Sequence, residues 1–405
     1  MPSPGHSRLP NNSVRITYVT ESFTPQINGA ALSAERTLRH LRAAGHQVEL
    51  LRPQQAGEAA CDSPDEWRTG GGRLPLRSGL HFGHASMAAL RRRWHASGQL
   101  PELVHVATSG PLAWSALVAA RALGIATSAD VRFNPQAPIP QSGTRWGAPL
   151  VRGYLKRLHG MADCCFVPTR EMAGQLTSQG YDNLQVLGRG VDVTAFSPQW
   201  RDCWLRRDWR ACQHNPVLLY VGRLSTDKNV RLALQTYERL RQDERGLRMV
   251  VVGDGPLRRQ LQAEHPRVRF AGWQRGTELA RHYASADLCL LPNLNQSFGS
   301  VTLEALASGL ALVAFDTAAA GVHVVDGING FLAKPGLGAT SGQDTFFAAA
   351  QRALAASAPD HPLRLQARLA ALRADWHGVL GGFEARLRQL ANQVSALHPA
   401  QAALA

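Results

Sequence analysis

The chain has 405 residues, of which 44% are hydrophobic and 18% are charged. This length suits two domains of ordinary size, and the composition allows a buried core. No uninterrupted apolar run reaches the roughly 18 residues that a membrane-spanning helix needs, because Arg121 interrupts the longest one, 112–129. Residues 1–13 lack the apolar core of a signal peptide, so we predict a disordered lead and a cytoplasmic protein.

The net charge is +14, and 41 of the 44 basic residues are arginine. Such a balance suits nucleic acid, an anionic membrane surface or phosphorylated small molecules as partners, although a solvated arginine-rich surface explains it equally well. Two clusters, 91–95 and 201–210, combine arginine with tryptophan and would fit contact with a membrane interface. The six cysteines have no metal-type spacing, which predicts free thiols with neither zinc nor disulfides.

Short apolar runs rich in β-branched residues alternate with helix-like stretches in two successive sets. The first set comprises 14–20, 47–53, 103–108, 125–131, 164–169 and 184–190. The second set comprises 217–222, 248–255, 268–273, 287–293 and 311–315. Strands this apolar are expected where helices cover both faces of a parallel sheet. Each set therefore predicts a doubly wound α/β domain.

The segment between the two sets, 191–216, is polar and rich in tryptophan, which predicts a linker. We place the domain boundary near residue 212, so that the first domain covers 14–212 and the second covers 213–364. The spacing of leucine, alanine and aromatic residues predicts a helical segment over 365–396, followed by a tail at 397–405. The sequence leaves open which domain that helical segment packs on.

Glycine-containing loops follow several strands, and ligands of open α/β sheets bind at the carboxyl ends of strands. In 217-VLLYVGRLSTDKNV-230, Gly222 and Arg223 follow a buried strand, and the pattern after them predicts an amphipathic helix. Lys228 then lies in the first turn, where its charge opposes the helix dipole unless an anion binds there. The alternative is an exposed lysine in a loop whose polar residues 225–227 cap the helix.

A second loop follows the strand 287–293. There Phe298, Gly299 and Ser300 open a predicted helix that carries Glu304. Backbone amides at that helix start would bind phosphate oxygens, and glycine allows a close approach. The Glu304 carboxylate would then accept a hydrogen bond from a hydroxyl group of the ligand. An ordinary position on the helix surface would explain a glutamate there equally well. A third loop within 20–41 places Asn28 and Gly29 at the edge of the first domain, which is a weak signal by itself.

Taken together, these segments resemble the retaining family 4 glycosyltransferases of the GT-B fold. The first domain contributes 25-PQINGA-30, 103-LVHVATSGPLAWSAL-117, 130-DVRFN-134, 167–181 and 188–198. The second contributes 221-VGRLSTDKN-229, 251-VVGDGP-256 and 297–321. The resemblance implies two Rossmann-like, doubly wound parallel-sheet domains that face a central cleft. It is closest to bacterial transferases that resemble mannosyl, glucosyl and sulfoquinovosyl enzymes acting on lipid-type acceptors.

On the donor side, the residues expected to be catalytic are Arg223, Lys228 and Glu304, and the resemblance implies that Arg223 and Lys228 bind the diphosphate. Glu304 matches the second glutamate of the family's E-x7-E motif, which holds the donor ribose. Gln296 stands where the first glutamate is expected, and its amide accepts from fewer sugar hydroxyls than a carboxylate does. The other donor-binding residues that the resemblance or their position suggests are Gly253, Trp273, Phe298, Gly299 and Ser300.

On the acceptor side, the resemblance implies a loop that begins at Asp130. Asp130, Arg132 and Asn134 match the family pattern there, whereas Gln136 replaces a histidine. The other residues expected at the cleft or on the acceptor side are Asn28, Gly29 and His105.

The implied activity is transfer of a mannose-type or glucose-type sugar from a GDP-linked or UDP-linked donor to a hydroxyl acceptor, with retention at the anomeric carbon. No metal ion or other cofactor is implied, since the two cations neutralise the leaving diphosphate. The acceptor is expected to be a lipid or glycan of the cell envelope, reached from the inner face of the membrane, and no nucleic acid is expected.

Three alternatives stay open. A nucleotide-sugar epimerase would release free sugar or an epimer without an acceptor. A non-catalytic nucleotide-sugar-binding homologue is suggested by Gln296. A nucleic-acid-binding protein is suggested only by charge and would show strongly salt-dependent affinity.

Overall fold

The computed structural model of the chain describes residues 13–24, 29–55, 57–73, 81–96, 98, 100–131, 148–211, 215–294, 299–336, 339–358 and 360–397. The chain divides into two compact units. One contains the residues up to Leu187 together with those from Leu380 onward, and the other contains Gly188–Val379. Each unit is built on a parallel sheet, as the alternation of apolar runs and helix-like stretches predicts.

The first unit contains a seven-stranded sheet. The strands of that sheet are β1 (Arg15–Val19), β2 (Gln47–Pro53), β3 (Glu66–Thr69), β6 (Leu103–Val106), β7 (Ala126–Asp130), β8 (Cys164–Val167) and β9 (Leu184–Val186), and the unit also contains β4 (Gly71–Arg73) and β5 (His81–Gly83). The sheet order is β3-β2-β1-β6-β7-β8-β9, and all neighbours run parallel. Strands β4 and β5 form a separate antiparallel pair.

Helices cover both faces of this sheet. Those between its strands are α1 (Gly29–Ala43), α2 (Met87–Ala96), α3 (Pro111–Ala122), α4 (Ala148–His159) and α5 (Arg170–Thr177). Side chains of β1 alternate between two core clusters. Ile16 and Tyr18 pack with α1, and Val19 packs with α2 to α5. This alternation is the reason that both the odd and the even positions of the strands are apolar.

The second unit contains a six-stranded parallel sheet in the order β12-β11-β10-β13-β14-β15. Its strands are β10 (Val217–Val221), β11 (Arg248–Val252), β12 (Arg269–Gly272), β13 (Leu288–Leu291), β14 (Ala311–Phe315) and β15 (Phe331–Ala333). Its helices are α6 (Cys203–Asp208), α7 (Val230–Asp243), α8 (Arg258–Glu264), α9 (Gly276–Ser285), α10 (Ser300–Ala307), α11 (Ala318–His323), α12 (Ala339–Ala355) and α13 (Pro362–Leu372). Two core clusters lie on opposite faces of the sheet and divide its strand residues in the same alternating way.

The stretch 365–396, for which the sequence predicts a helical segment, lies mostly within two helices. Helix α13 packs in the second unit, and α14 (Trp376–Leu397) follows it. From Leu380 onward α14 belongs to the first unit, where Phe383, Leu387 and Leu390 are buried beside β1 and α1. The Glu384 carboxylate accepts a hydrogen bond from the His40 ring at 3.1 Å. The two helices therefore pack on different domains: α13 on the second unit and most of α14 on the first.

The segment 188–211, assigned above to the first domain and its linker, lies in the second unit. Val191, Trp209 and Ala211 are buried in a core cluster of that unit. Trp94 is only 2% exposed, so two tryptophans of the arginine-rich clusters serve the core, whereas Trp204 is exposed. No helix within the described ranges is long and apolar enough to cross a membrane.

Candidate active site

The strand order in the sheet of the second unit reverses between β10 and β13, which makes this place a topological switch point. These strands are neighbours, although β11 and β12 lie between them in the chain. The loops that follow two such strands lead away from each other and leave a crevice at the carboxyl edge, which is where open α/β sheets bind ligands. Here the Asn229 side-chain amide donates to the Pro292 carbonyl at 3.1 Å, so the two loops are joined across this point.

The loop after β10 carries both predicted cations. Arg223 is exposed, and the Lys228 side chain is 35% exposed, with its ammonium 3.9 Å from the Asp227 carboxylate. Lys228 ends a short 3-10 turn that precedes α7, whose first residue is Val230. Lys228 therefore lies just before α7 and not within its first turn, where it was expected, because Asn229 adopts left-handed backbone angles and separates the two helical segments.

A buried tyrosine holds this loop in shape. The Tyr220 hydroxyl donates to the Arg223 carbonyl at 3.3 Å and lies 3.4 Å from the Lys228 carbonyl. Burial raises the pKa of Tyr220 well above its usual value, so the hydroxyl keeps its proton at neutral pH. The two cationic residues are thus tied to one side chain of β10, an arrangement that the sequence did not reveal.

Gly253 allows the loops after β10 and β11 to approach closely. Its φ is +138°, and a Cβ atom at this position would lie 1.9 Å from the Gly222 carbonyl oxygen. The Leu224 amide donates to the Asp254 carbonyl at 2.9 Å. The backbone near Gly253 therefore supports the cationic loop, and glycine is required there on steric grounds.

Helix α10 begins at Ser300, as predicted. Gly299 precedes it with φ +60°, and a Cβ atom there would lie 2.2 Å from the Cβ of Ala319. The first amides of any helix have no partner within the helix, and at this place they lie at the carboxyl edge of β13. They can therefore bind an anion. Gln296 and Phe298 lie outside the described residues.

Glu304 is oriented by a side chain from α9. The Tyr283 hydroxyl donates to Glu304 Oε2 at 2.9 Å, and the ring of Tyr283 packs edge-on against Phe196 at 5.7 Å between centroids. Tyr283 is fully buried, and burial raises the pKa of its hydroxyl well above the usual value. Glu304 is half-buried. A fixed, partly exposed carboxylate of this kind suits recognition of a hydroxyl group, as the resemblance implied.

Trp273 follows β12 and is 57% exposed. The Arg275 guanidinium lies 3.5 Å from the centroid of its ring, which is within the range of a cation–π contact. The indole of Trp273 is therefore covered by the Arg275 guanidinium and is not packed into the core.

The first unit has a switch point of its own, between β1 and β6. Glu21 lies there: its amide donates to Thr108 Oγ1 at 2.9 Å, and its carboxylate accepts from the Leu112 amide at 3.0 Å. Burial raises the pKa of the Glu21 carboxyl to about 7, although the amides of Leu112 and Gly83 oppose this shift. Glu21 stands within a segment that the sequence singled out, yet nothing in its spacing indicated this environment.

The predicted acceptor-side residues fall in different environments. His105 is 1% exposed, bonds Ser128 through Nδ1 at 3.0 Å and packs against Tyr18, so it is part of the core. Asp130 ends β7 at the ligand edge, with Oδ1 3.7 Å from His105 Nε2. Gly29 is the first residue of α1. The remaining three, Asn28, Arg132 and Asn134, lie outside the described residues.

Sequence comparisons match both units to one family. A profile described as "Glycosyl transferases group 1" matches residues 215–355, and one described as "Glycosyltransferase Family 4" matches residues 27–195. A GDP-mannose-dependent alpha-mannosyltransferase of Mycobacterium tuberculosis is 33% identical over 314 residues, covering 75% of this chain and 79% of the relative. The chain belongs to glycosyltransferase family 4. It is accordingly an enzyme that transfers a sugar from a nucleotide sugar.

More distant matches agree with this assignment. The sulfoquinovosyl transferase SQD2 of Arabidopsis thaliana is 28% identical to this glycosyltransferase, over 58% of the chain and 47% of the relative. A sucrose-phosphate synthase from Thermosynechococcus elongatus superposes with a TM-score of 0.71 at 18% identity, covering 93% of this chain and 98% of the other. Anabaena HepE in complex with UDP-glucose gives 0.63 at 17%, covering 95% and 100%. These structures show that the fold is GT-B.

Proposed function

We propose that this glycosyltransferase transfers mannose from GDP-mannose to a hydroxyl group of a lipid or glycan of the cell envelope, with retention at the anomeric carbon. The main observation in support of the donor site is the contact between the loops after β10 and β13 at the switch point of the second unit. There the loop of Arg223 and Lys228 adjoins the loop that leads to α10 and Glu304. The choice of GDP and mannose is supported by the 33% identical relative.

The leaving group is a nucleoside diphosphate, and its charge grows as the bond to the sugar breaks. Arg223, Lys228 and the first amides of α10 would stabilise that charge, which is electrostatic catalysis of the transition state. An ammonium about 4 Å from a phosphate oxygen contributes on the order of 4 kcal/mol at an effective dielectric constant of about 20, before desolvation is subtracted. Arginine supplies a fixed fork, whereas the compact lysine ammonium follows the shifting charge.

Glu304 would bind the donor ribose, held in place by Tyr283. The acceptor oxygen attacks the anomeric carbon from the face that the diphosphate leaves, and the acceptor proton passes to a phosphate oxygen of the leaving group. The new sugar–oxygen bond therefore has the configuration of the old one. The two cations take the charge-neutralising role, so the reaction needs no metal ion. The enzyme would act at the inner face of the membrane when its acceptor is a lipid.

The test is transfer of radiolabelled mannose from GDP-mannose into a total lipid extract, with UDP-glucose in parallel. We expect labelled glycolipid whose anomeric configuration, determined by NMR, equals that of the donor. Chelation by EDTA should leave the rate unchanged. Lys228→Ala should lower transfer by about a hundredfold or more, whereas Lys334→Ala, at an exposed lysine of the same unit, should not lower it. Release of free sugar or of an epimer without an acceptor would contradict the proposal.

A further inference from the structure

A group of arginines lies at the amino edge of the sheet of the second unit, away from the donor site. Asp287 directly precedes β13, and its Oδ2 accepts from the amide of Val217, the first residue of β10, at 3.0 Å. The carboxyl edge, with Arg223 and Lys228, is one strand length away, about 15 Å. The side chains around Asp287 therefore occupy a different place in the fold from the switch point.

Two arginines from the segment before β10 share the Asp287 carboxylate. Arg206 Nη1 donates to Oδ2 at 2.9 Å, and Arg201 Nη2 donates to Oδ1 at 2.7 Å. Arg201 also donates to the Ala284 carbonyl at 3.1 Å. Arg206 also donates to the Ser285 carbonyl at 2.7 Å, and both carbonyls belong to the last turn of α9. A helix C-terminus favours cations, so these two arginines are held by the carboxylate and by the end of α9.

A third arginine, Arg364 of α13, reaches the same carboxylate without bonding to it. Its Nη1 lies 3.8 Å from Asp287 Oδ1, which is too far for a hydrogen bond. This nitrogen is buried, and no atom of the described residues accepts a hydrogen bond from it. The whole side chain is only 11% exposed. A buried charged group without a hydrogen-bond partner is costly, so this nitrogen calls for an acceptor that the described residues do not supply.

The positive charge of Arg364 persists in this environment. Burial and the neighbouring Arg201 lower the pKa of Arg364 to about 10, and Asp287 opposes this shift. The guanidinium therefore keeps its proton at neutral pH. Three guanidinium groups share the Asp287 carboxylate, whose single negative charge cannot neutralise them all. An oxyanion is the partner that such nitrogens bind most strongly, through charge-assisted hydrogen bonds.

We propose that Arg364 and Arg201 bind a phosphate group beside Asp287, either inorganic phosphate or the phosphate of a small monoester. Arg364 Nη1 and Arg201 Nη2 flank the same carboxylate oxygen, at 3.8 and 2.7 Å, so one tetrahedral anion can contact both guanidinium groups. The Arg201 side chain is 28% exposed and gives the anion access from solvent. This site goes beyond the proposed function, because neither arginine belongs to the donor site.

The first experiment is equilibrium dialysis of the full chain with radiolabelled inorganic phosphate in chloride buffer of constant ionic strength. Phosphate also suits the donor site, so every measurement is made in a Lys228→Ala background. We expect this background to bind phosphate, and added Arg364→Gln to weaken the binding about tenfold or more, because a charge-assisted hydrogen bond is lost. Added Arg373→Gln, at an exposed arginine that ends the same helix, should leave the binding unchanged.

Competition by glycerol 2-phosphate distinguishes the two sources of the phosphate group. Displacement of the label at comparable concentration would show that the site takes a phosphate monoester. Retention of the label would restrict the site to inorganic phosphate. Both results support the site. Failure of the Lys228→Ala background to bind phosphate would overturn the proposal, as would equal losses of binding in the Arg364→Gln and Arg373→Gln variants.

A second measurement separates anion binding from a purely structural role of Arg364. Arg364→Met removes the buried charge and keeps much of the side-chain volume. In phosphate-free buffer we expect its thermal midpoint to equal or exceed that of the wild type. Millimolar phosphate should raise only the wild-type midpoint, by several degrees, so that the order of the two inverts. A variant that is less stable by the same margin in both buffers would overturn the proposal.

The phosphate site and the donor site fail or succeed separately in these experiments. Binding of GDP, measured by calorimetry, should be the same in the Arg364→Gln variant and in the wild type. A chain that binds phosphate at Arg364 but no GDP would refute the proposed donor site while leaving the phosphate site intact.

Discussion

Among single residues, Lys228 is the cation that we expect to contribute most to the reaction rate. It sits in a 3-10 turn beside the start of α7, and its ion-pair partner Asp227 is exposed and lies 3.9 Å away. We expect Lys228→Ala to lower kcat by about a hundredfold to a thousandfold, the range seen when one preorganised transition-state donor is removed. Lys334→Ala should keep the wild-type kcat. Equal rates in both variants, measured at saturating donor, would remove Lys228 from the mechanism.

Tyr283 is predicted to position Glu304 without touching the substrate. Tyr283→Phe removes the hydroxyl that donates to Glu304 at 2.9 Å but keeps the buried ring. A hydrogen bond to a charged group contributes about 1.5–3 kcal/mol, so we expect KM for the donor to rise about tenfold or more. Because the ribose does not react, kcat should change little. A fall in kcat at constant KM would show that Glu304 acts on the reacting atoms instead.

Glu21 should make the stability of the enzyme depend on pH. Its pKa is about 7 in the folded chain and 4.5 in the unfolded chain, so the folded state binds the proton more tightly. The resulting stabilisation is complete below pH 4.5 and is lost as pH rises to about 7, by roughly 3 kcal/mol in total. Glu21→Gln imitates the protonated form and should flatten this dependence in urea unfolding between pH 5 and 8. A profile identical to that of the wild type, with the partly exposed Glu35→Gln as the control, would contradict the assignment.

The residues that the sequence could predict are those fixed by spacing along the chain. Arg223, Lys228, Gly299 and Glu304 stand at set distances from apolar runs that identify strands, whereas the roles expected of them come from the family resemblance. Tyr283 could not be found in this way, because its partner Glu304 lies on another helix and only the fold joins them. Glu21 has the same limitation, since its partners Thr108 and Leu112 come from the loop after β6 and from the first turn of α3.

At the scale of elements, the apolar runs predicted the central strands of both sheets correctly. Strands β3 and β15 were not predicted. Both lie at a sheet edge and are short, and β3 has the sequence EWRT, which carries no apolar run. An edge strand packs against one neighbour only, so its residues need not be apolar, and its pairing is decided by tertiary contacts. Sequence patterns are strongest where burial is complete on both faces.

The packing partner of helix α14 could not be predicted from the sequence. Its apolar spacing predicts a helix, but the docking surface is supplied by β1 and α1. Leu387 is 1% exposed there, so we expect Leu387→Ala to lower the free energy of unfolding by about 2–5 kcal/mol. Leu365→Ala, on the exposed face of α13, should stay within about 0.5 kcal/mol. Equal denaturation midpoints for the two variants would show that α14 does not contribute to the first unit.

At the scale of the whole molecule, two parallel-sheet units carry different chemistry at their switch points. The second unit gathers cations, helix amides and an oriented carboxylate, whereas the first places a buried carboxyl at its corresponding edge. The charge of +14 does not by itself indicate nucleic acid, since a diphosphate donor also favours cations. Residues 188–211 belong to the second unit, because their apolar side chains pack there.

The most direct test of the central claim is titration calorimetry of GDP, UDP and ADP with the wild type, Lys228→Ala and Lys334→Ala. The account predicts that GDP binds the wild type at micromolar strength, that UDP and ADP bind more weakly, and that only Lys228→Ala loses most of the GDP affinity. The account would be contradicted if none of the three nucleotides bound the wild type. It would also be contradicted if both lysine variants bound GDP with equal affinity.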